Sequence, residues 1–182
     1  MRVIGTVGLA GSGKGEFAAV AERLDIPVVT LGDVIRAECR DRGLDPADHH
    51  GEIAQALREE HGPAAVAERS LPLLEAALAD HETVLVDGIR SDVEVETFQQ
   101  RFGEAFTLVS IEAPFELRVE RITERGRDNT GTGTDSGEEL RDRDERERGF
   151  GLDDAMARAD VTIENTGTLA AFRTRAEEIL EQ

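Results

Sequence analysis

The stretch Gly8-Leu9-Ala10-Gly11-Ser12-Gly13-Lys14-Gly15 governs the reading of the whole chain. It follows a β-branched run, Val3 to Val7, and opens a segment of helical pattern that begins Glu16-Phe17-Ala18. Glycines let a backbone curl until successive N–H groups point inward, a helix N-terminus adds a favourable dipole, and a lysine ammonium bridges terminal phosphates. Strand, glycine loop and lysine in that order predict a cradle for the phosphates of ATP over residues 8–15. Lys14 is the only lysine in the chain, and arginine fills every other basic position. The pressure that replaced lysine elsewhere has not replaced it here, which points to a function for its ammonium. The motif departs from its usual form at Gly15, where a Ser or Thr hydroxyl would touch Mg²⁺. Magnesium is therefore expected through waters, with Asp87 the first candidate side chain and Asp33 or Glu16 behind it.

Further β-branched runs recur between helical patterns: Pro27 to Leu31, Thr83 to Asp87, Phe106 to Ile111 and Asp160 to Glu164. The helical patterns cover 14–24, 32–42, 51–60, 63–80, 91–102, 114–125 and 167–181. Strands alternating with helices indicate βαβ units and a parallel sheet. Val84-Leu85-Val86 and Leu108-Val109-Ser110-Ile111 are nearly continuous apolar runs, as expected of strands covered on both faces. The expected fold is α/β, a five-stranded parallel sheet flanked by helices, in a single domain of 182 residues.

The charge balance is unusual. Acidic residues number 39 against 21 basic ones, a net charge of -18. Self-repulsion of that size opposes compaction in dilute buffer, whereas molar salt shortens the screening length to about 3 Å. With the loss of lysine, this suggests adaptation to a salt-rich cytoplasm. The acidity also argues against nucleic acid as a partner. A single cysteine, Cys39, excludes an intramolecular disulfide and fits a small core filler on a helix. No apolar run approaches the roughly 20 residues that span a membrane. The four histidines show no ligand spacing and read as surface residues.

Residues 126–151 contain almost no apolar side chains and carry a dense mixture of arginine and acid. Composition alone fits a loop followed by a solvated charged helix. Their place between the fourth and fifth strands favours a hinged lid that closes over phosphates. Within it Arg143 and Arg146 stand equally well for lid arginines or for an exposed helix.

Two further loops resemble adenylate kinase and the other nucleoside monophosphate kinases. These are Gly32-Asp33-Val34-Ile35-Arg36 after the second strand and Asp87-Gly88-Ile89-Arg90 after the third. The resemblance implies that Arg36 and Arg90 hold the acceptor's phosphate, with Gly32, Asp33, Asp87 and Gly88 around it. It extends into residues 114–125, where Arg121 and Arg125 fall on positions that contact the donor nucleotide. Over nearly the whole length the chain resembles an archaeal family of adenylate-kinase-like P-loop proteins, through residues 11–17, 32–36, 87–91, 143–147 and 159–167. The implied fold is that of P-loop NTPases, with an acceptor-binding insert around 32–62 and a lid around 126–151. The implied cofactors are ATP and Mg²⁺, and the implied partner is a small phosphorylated metabolite. The ending at 159–169 also resembles dephospho-coenzyme A kinase. Adenylate kinase carries a proline between glycine and arginine in its Asp-Gly-x-Pro-Arg motif, whereas here Ile89 is followed at once by Arg90, so the acceptor is left open. A non-kinase ATP-binding switch or assembly factor is the alternative from outside the enzymes; such a protein would need no second phosphate site.

Overall fold

A computed structural model describes residues 1–130 and 137–182, the side chains of 125–130 excepted. The strands are β1 (Arg2–Val7), β2 (Val28–Thr30), β3 (Thr83–Ile89), β4 (Phe106–Glu112) and β5 (Val161–Glu164). They form one five-stranded sheet in the order β2-β3-β1-β4-β5, and every neighbouring pair is parallel. Helices α1 (Lys14–Arg23), α2 (Leu31–Asp41), α3 (Pro46–His61), α4 (Ala65–Asp80), α5 (Asp92–Phe102), α6 (Phe115–Thr130), α7 (Gly137–Gly149), α8 (Leu152–Ala157) and α9 (Leu169–Leu180) complete the described residues.

Successive strand residues point to opposite faces, and the core divides accordingly. On one face Val3, Val84, Val86 and Leu108 pack with residues of α2, α3, α4, α5 and α8. On the other, Ile4, Leu85, Val109 and Ile111 pack with Phe17 and Val20 of α1 and Phe172 and Ile179 of α9. The continuous apolar runs of β3 and β4 are buried as expected for strands covered on both faces. Cys39 is fully buried within α2.

Helix boundaries depart from expectation where local caps act. Helix α3 begins at Pro46 rather than 51, because the Asp45 side chain accepts the Ala47 N–H at 2.9 Å and Pro46 occupies the first turn. Helix α6 runs on to Thr130, and α8 was not foreseen. Helix α5 starts with a capping box: Ser91 Oγ accepts the Glu94 N–H at 3.2 Å, and the Glu94 carboxylate turns back toward the preceding backbone.

The end of β3 is shaped by a bulge. Gly5 pairs with Val86 and Val7 with Ile89, so Thr6 alone faces both Asp87 and Gly88. Gly88 adopts φ +89, a conformation costly for any side chain, although a Cβ there would meet nothing within 4 Å. The constraint on the Asp-Gly pair is therefore one of backbone dihedral.

Candidate functional site

The loop after central strand β1 is held from behind by groups distant in sequence. Asn165, just past β5, donates from Nδ2 to the Ser12 carbonyl at 2.8 Å. Arg121 donates to the Asn165 carbonyl at 2.9 Å and to the Ser12 carbonyl at 3.4 Å. Arg118 donates to the Ala10 carbonyl at 3.0 Å and forms a two-pronged pair with Asp144 of α7 at 3.0 and 2.6 Å. Both partners of that pair are buried. Gly13 has φ +124, and a Cβ on it would lie 2.5 Å from Asn165 Nδ2, so conformation and close approach both require glycine.

Lys14 turns its ammonium into the loop, donating to the carbonyls of Gly8 and, at 3.1 Å, Leu9. Burial pushes its pKa down to about 8; Asp87 and Glu147 oppose the shift, while Arg90 and Arg143 reinforce it. The ammonium thus shares one electrostatic neighbourhood with all four groups. Asp87 is fixed by a short hydrogen bond from the Thr6 hydroxyl across the bulge.

A second cluster of cations adjoins the first. The Arg90 backbone N–H donates to Glu94 Oε2 at 2.8 Å, while the other Glu94 oxygen takes Arg58 at 2.8 Å. Glu94 is buried, so this pairing fixes the backbone from which the Arg90 side chain departs. Glu147 Oε1 lies 3.4 Å from Arg90 and 3.2 Å from Arg143 Nε. His50, on α3, is half-buried; its pKa is lowered by burial and then by Arg90, Arg36 and Arg143, against a hydrogen bond to the Gly32 backbone. Arg36 closes the cluster, paired with Asp33 at 2.7 Å and lying over Gly32.

Most residues expected from the sequence therefore fall at one end of the sheet. Gly8, Leu9, Ala10, Gly11, Ser12, Gly13, Lys14 and Gly15 form the loop, and Asp87, Gly88 and Arg90 adjoin it. Arg36 is linked to Arg90 through their joint effect on His50. The Arg121 guanidinium engages the backbone of the loop and of Asn165. Arg143 faces Glu147, whereas Arg146 is exposed and, among the described residues, reaches only the Asp142 carbonyl, at 3.3 Å. Glu16 is taken by Arg173 at 2.6 Å. Arg125 and the expected lid residues 126–136 lie outside the described residues and side chains.

Reading the histidines as surface residues needs correction at His50. Its α3 neighbours Ile53, Ala54 and Leu57 are buried, and the 50, 53, 54, 57 spacing was the available signal. Glu94 could have been found from Ser91-x-x-Glu94. Arg118, Asp144 and Glu147 sit in charged surroundings that give no sequence cue to burial.

The loop fits a triphosphate. Its lysine is set into it, and the Ser12 hydroxyl is buried with no hydrogen-bond partner among the described residues, leaving it open to a ligand oxygen. Among the described residues no three His, Cys, Asp or Glu side chains converge to hold a metal ion. A magnesium ion would come as a companion of the triphosphate, and Asp87 is a carboxylate in the electrostatic neighbourhood of Lys14 that would hold it through water. Among the described residues no helix is long and apolar enough to cross a membrane.

Fold and loop together define a protein with the P-loop kinase-like fold. A family model described as an AAA domain matches residues 7–141. A UPF0200 protein of Halobacterium salinarum is 61% identical over 99% of this chain and 93% of its own. One of Methanosarcina acetivorans is 42% identical over 99% and 94%. The chain belongs to the UPF0200 family of archaeal proteins. Solved structures of similar fold include TT1252 from Thermus thermophilus, with TM-score 0.66 and 22% identity over 99% of this chain and 96% of that one. A gluconokinase from Sinorhizobium meliloti has TM-score 0.59 and 20% identity over 99% and 91%. A shikimate kinase from Bacteroides thetaiotaomicron has TM-score 0.61 and 17% identity over 100% and 99%.

Proposed function

We propose that the chain is an ATP-dependent phosphotransferase whose acceptor is a small phosphorylated metabolite, a nucleoside monophosphate foremost. The observation that carries this reading is the second cluster: Arg90 and Arg143 share a carboxylate beside the Lys14 ammonium, with Arg36 and His50 beyond them. An ATP switch requires the loop alone, whereas transfer between two phosphorylated substrates requires cations on both sides of the moving group. The gluconokinase and shikimate kinase of similar fold support a kinase at the level of fold. In this reading the 32–62 segment, with α2 and α3, is the acceptor-binding insert of a single domain, and 126–151 is its lid.

The acceptor oxygen attacks the γ-phosphorus as the bond to the β–γ bridging oxygen breaks and ADP leaves. Lys14, set into the loop, would neutralise charge as it shifts toward the leaving oxygen. Arg36 and Arg90 hold the acceptor's own phosphate and set its oxygen in line. A magnesium ion accompanying the triphosphate would supply further charge neutralisation, and Asp87 is the carboxylate that would hold it through water. Arg121, through Ser12 and Asn165, keeps the loop in shape beneath the donor.

Alanine at Arg36 or Arg90 tests the reading. Each change removes a charge-assisted contact of about 1.5–3 kcal/mol, roughly 10- to 150-fold in kcat/KM for the acceptor, and leaves ATP affinity nearly untouched. If both variants transfer phosphate at the wild-type rate, the two-site kinase gives way to the switch.

A further inference from the structure

Helix α7 is an unusual helix to find seated on a protein body. Of its 13 residues only Leu140, Asp144 and Glu147 are buried, a stripe at spacings of four and three that marks one inward face. One leucine and two carboxylates thus make up the buried face. The two carboxylates are held in different ways. Asp144 gives both oxygens to Arg118, which also bonds the Ala10 carbonyl, so that pair belongs to the framework of the loop. Glu147 offers a single oxygen to two guanidiniums from different elements, at the longer distances of 3.2 Å to Arg143 and 3.4 Å to Arg90.

Glu147 is also as buried as its partners are open: its side chain is 6% exposed, against 32% for Arg90 and 47% for Arg143. Among the described residues the remaining nitrogens of the Arg143 guanidinium have no partner, and the Arg90 side chain has only this one. Two half-used guanidinium forks therefore meet at one carboxylate oxygen, with the Lys14 ammonium within electrostatic reach. Cations brought together in this way need an anion, and in the free chain the protein supplies it from α7.

We propose that Glu147 is a resident carboxylate at the phosphate site of Arg90, occupying it until a phosphomonoester arrives, and that Arg143 is a further arginine of that site. The planar fork of arginine suits phosphate oxygens, and two forks present more donors than one carboxylate oxygen can use. A phosphomonoester dianion brings three terminal oxygens and twice the charge, so it satisfies the donors that Glu147 leaves idle. His50 lies within electrostatic reach of Arg36, Arg90 and Arg143. The proposal rests on the kinase reading, in which Arg90 holds the acceptor's phosphate, and adds to that site Arg143 and the carboxylate that fills it in the free chain.

The test is anion binding, independent of turnover. Methyl phosphate, a dianion at pH 8, is titrated into the full chain in molar KCl while the ring proton resonances of the four histidines are followed by NMR. Binding at this site shifts His50, which separates it from binding in the glycine loop. Glu147→Gln keeps the side chain's shape and removes the competing charge, so methyl phosphate binds it about tenfold more tightly than wild type. Glu147→Ala changes affinity in the same direction, and Arg143→Ala weakens it about tenfold. Unchanged or weaker binding in both Glu147 variants, or no shift at His50 in any protein, overturns the proposal. A shift at His50 in a chain that transfers no phosphate removes the kinase reading alone; transfer without that shift removes this one alone.

Discussion

Filling the glycine loop with a triphosphate should draw a proton onto the protein, because Lys14 is held near pKa 8 by burial in the free chain, against an ordinary value of 10.5. At pH 9 such an amine is about one-tenth protonated, and at pH 7 about nine-tenths. Phosphate oxygens at the ammonium restore the charged form and return the pKa to its ordinary value or above. ATP binding then takes up about 0.9 proton at pH 9 and about 0.1 at pH 7. Calorimetric titrations in two buffers of different ionisation heat read that number directly. Equal uptake at the two pH values, or the same uptake in Lys14→Met, would refute the placement of the ammonium. The stability of the free protein carries the same signature. The unfolded chain holds the extra proton between about pH 8 and 10.5, so folding stability rises with pH across that window. Below about pH 8 the penalty is fully present. Its ceiling is of order 3 kcal/mol, and partial contact of Lys14 with solvent lowers it.

Three other outcomes follow from the framework of the site. Arg118→Met strands Asp144 as a buried unpaired charge and costs about 3–5 kcal/mol in urea unfolding, while the double variant with Asp144→Leu regains most of it; a loss under about 1 kcal/mol for the single change would contradict the buried pair. Gly13→Ala forces a Cβ to 2.5 Å from Asn165 at φ +124, so it lowers stability by about 1–3 kcal/mol and weakens ATP binding; wild-type affinity would contradict the loop geometry. The thermal midpoint rises from low to molar KCl as the net charge of -18 is screened, and a flat response would remove the case for salt adaptation.

How much of this was legible in the sequence depends on how local each signal is. The five strands and the glycine loop were readable because β-branched runs, glycines and the lone lysine act over a few residues. The bulge that turns Asp87 toward Thr6 was half visible, in the Asp-Gly pair, though its register needed β1 alongside. The inward face of α7 was not visible. Arg143, Asp144 and Glu147 sit in a run of charge that reads as solvated, and their burial follows from Arg118 and Arg90 rather than from apolar periodicity. His50 was missed for a related reason: the arginines that lower its pKa come from α2, α7 and the turn after β3, which no single stretch of sequence describes.

The central claim is tested most directly by following ³¹P signals while the chain, in molar KCl with magnesium and ATP, is offered each nucleoside monophosphate and dephospho-coenzyme A in turn. The account predicts that a monophosphate is converted to its diphosphate with one ADP formed per product, and that Lys14→Met abolishes the conversion. ATP that is bound, or split with water as the sole acceptor across the whole panel, would contradict it.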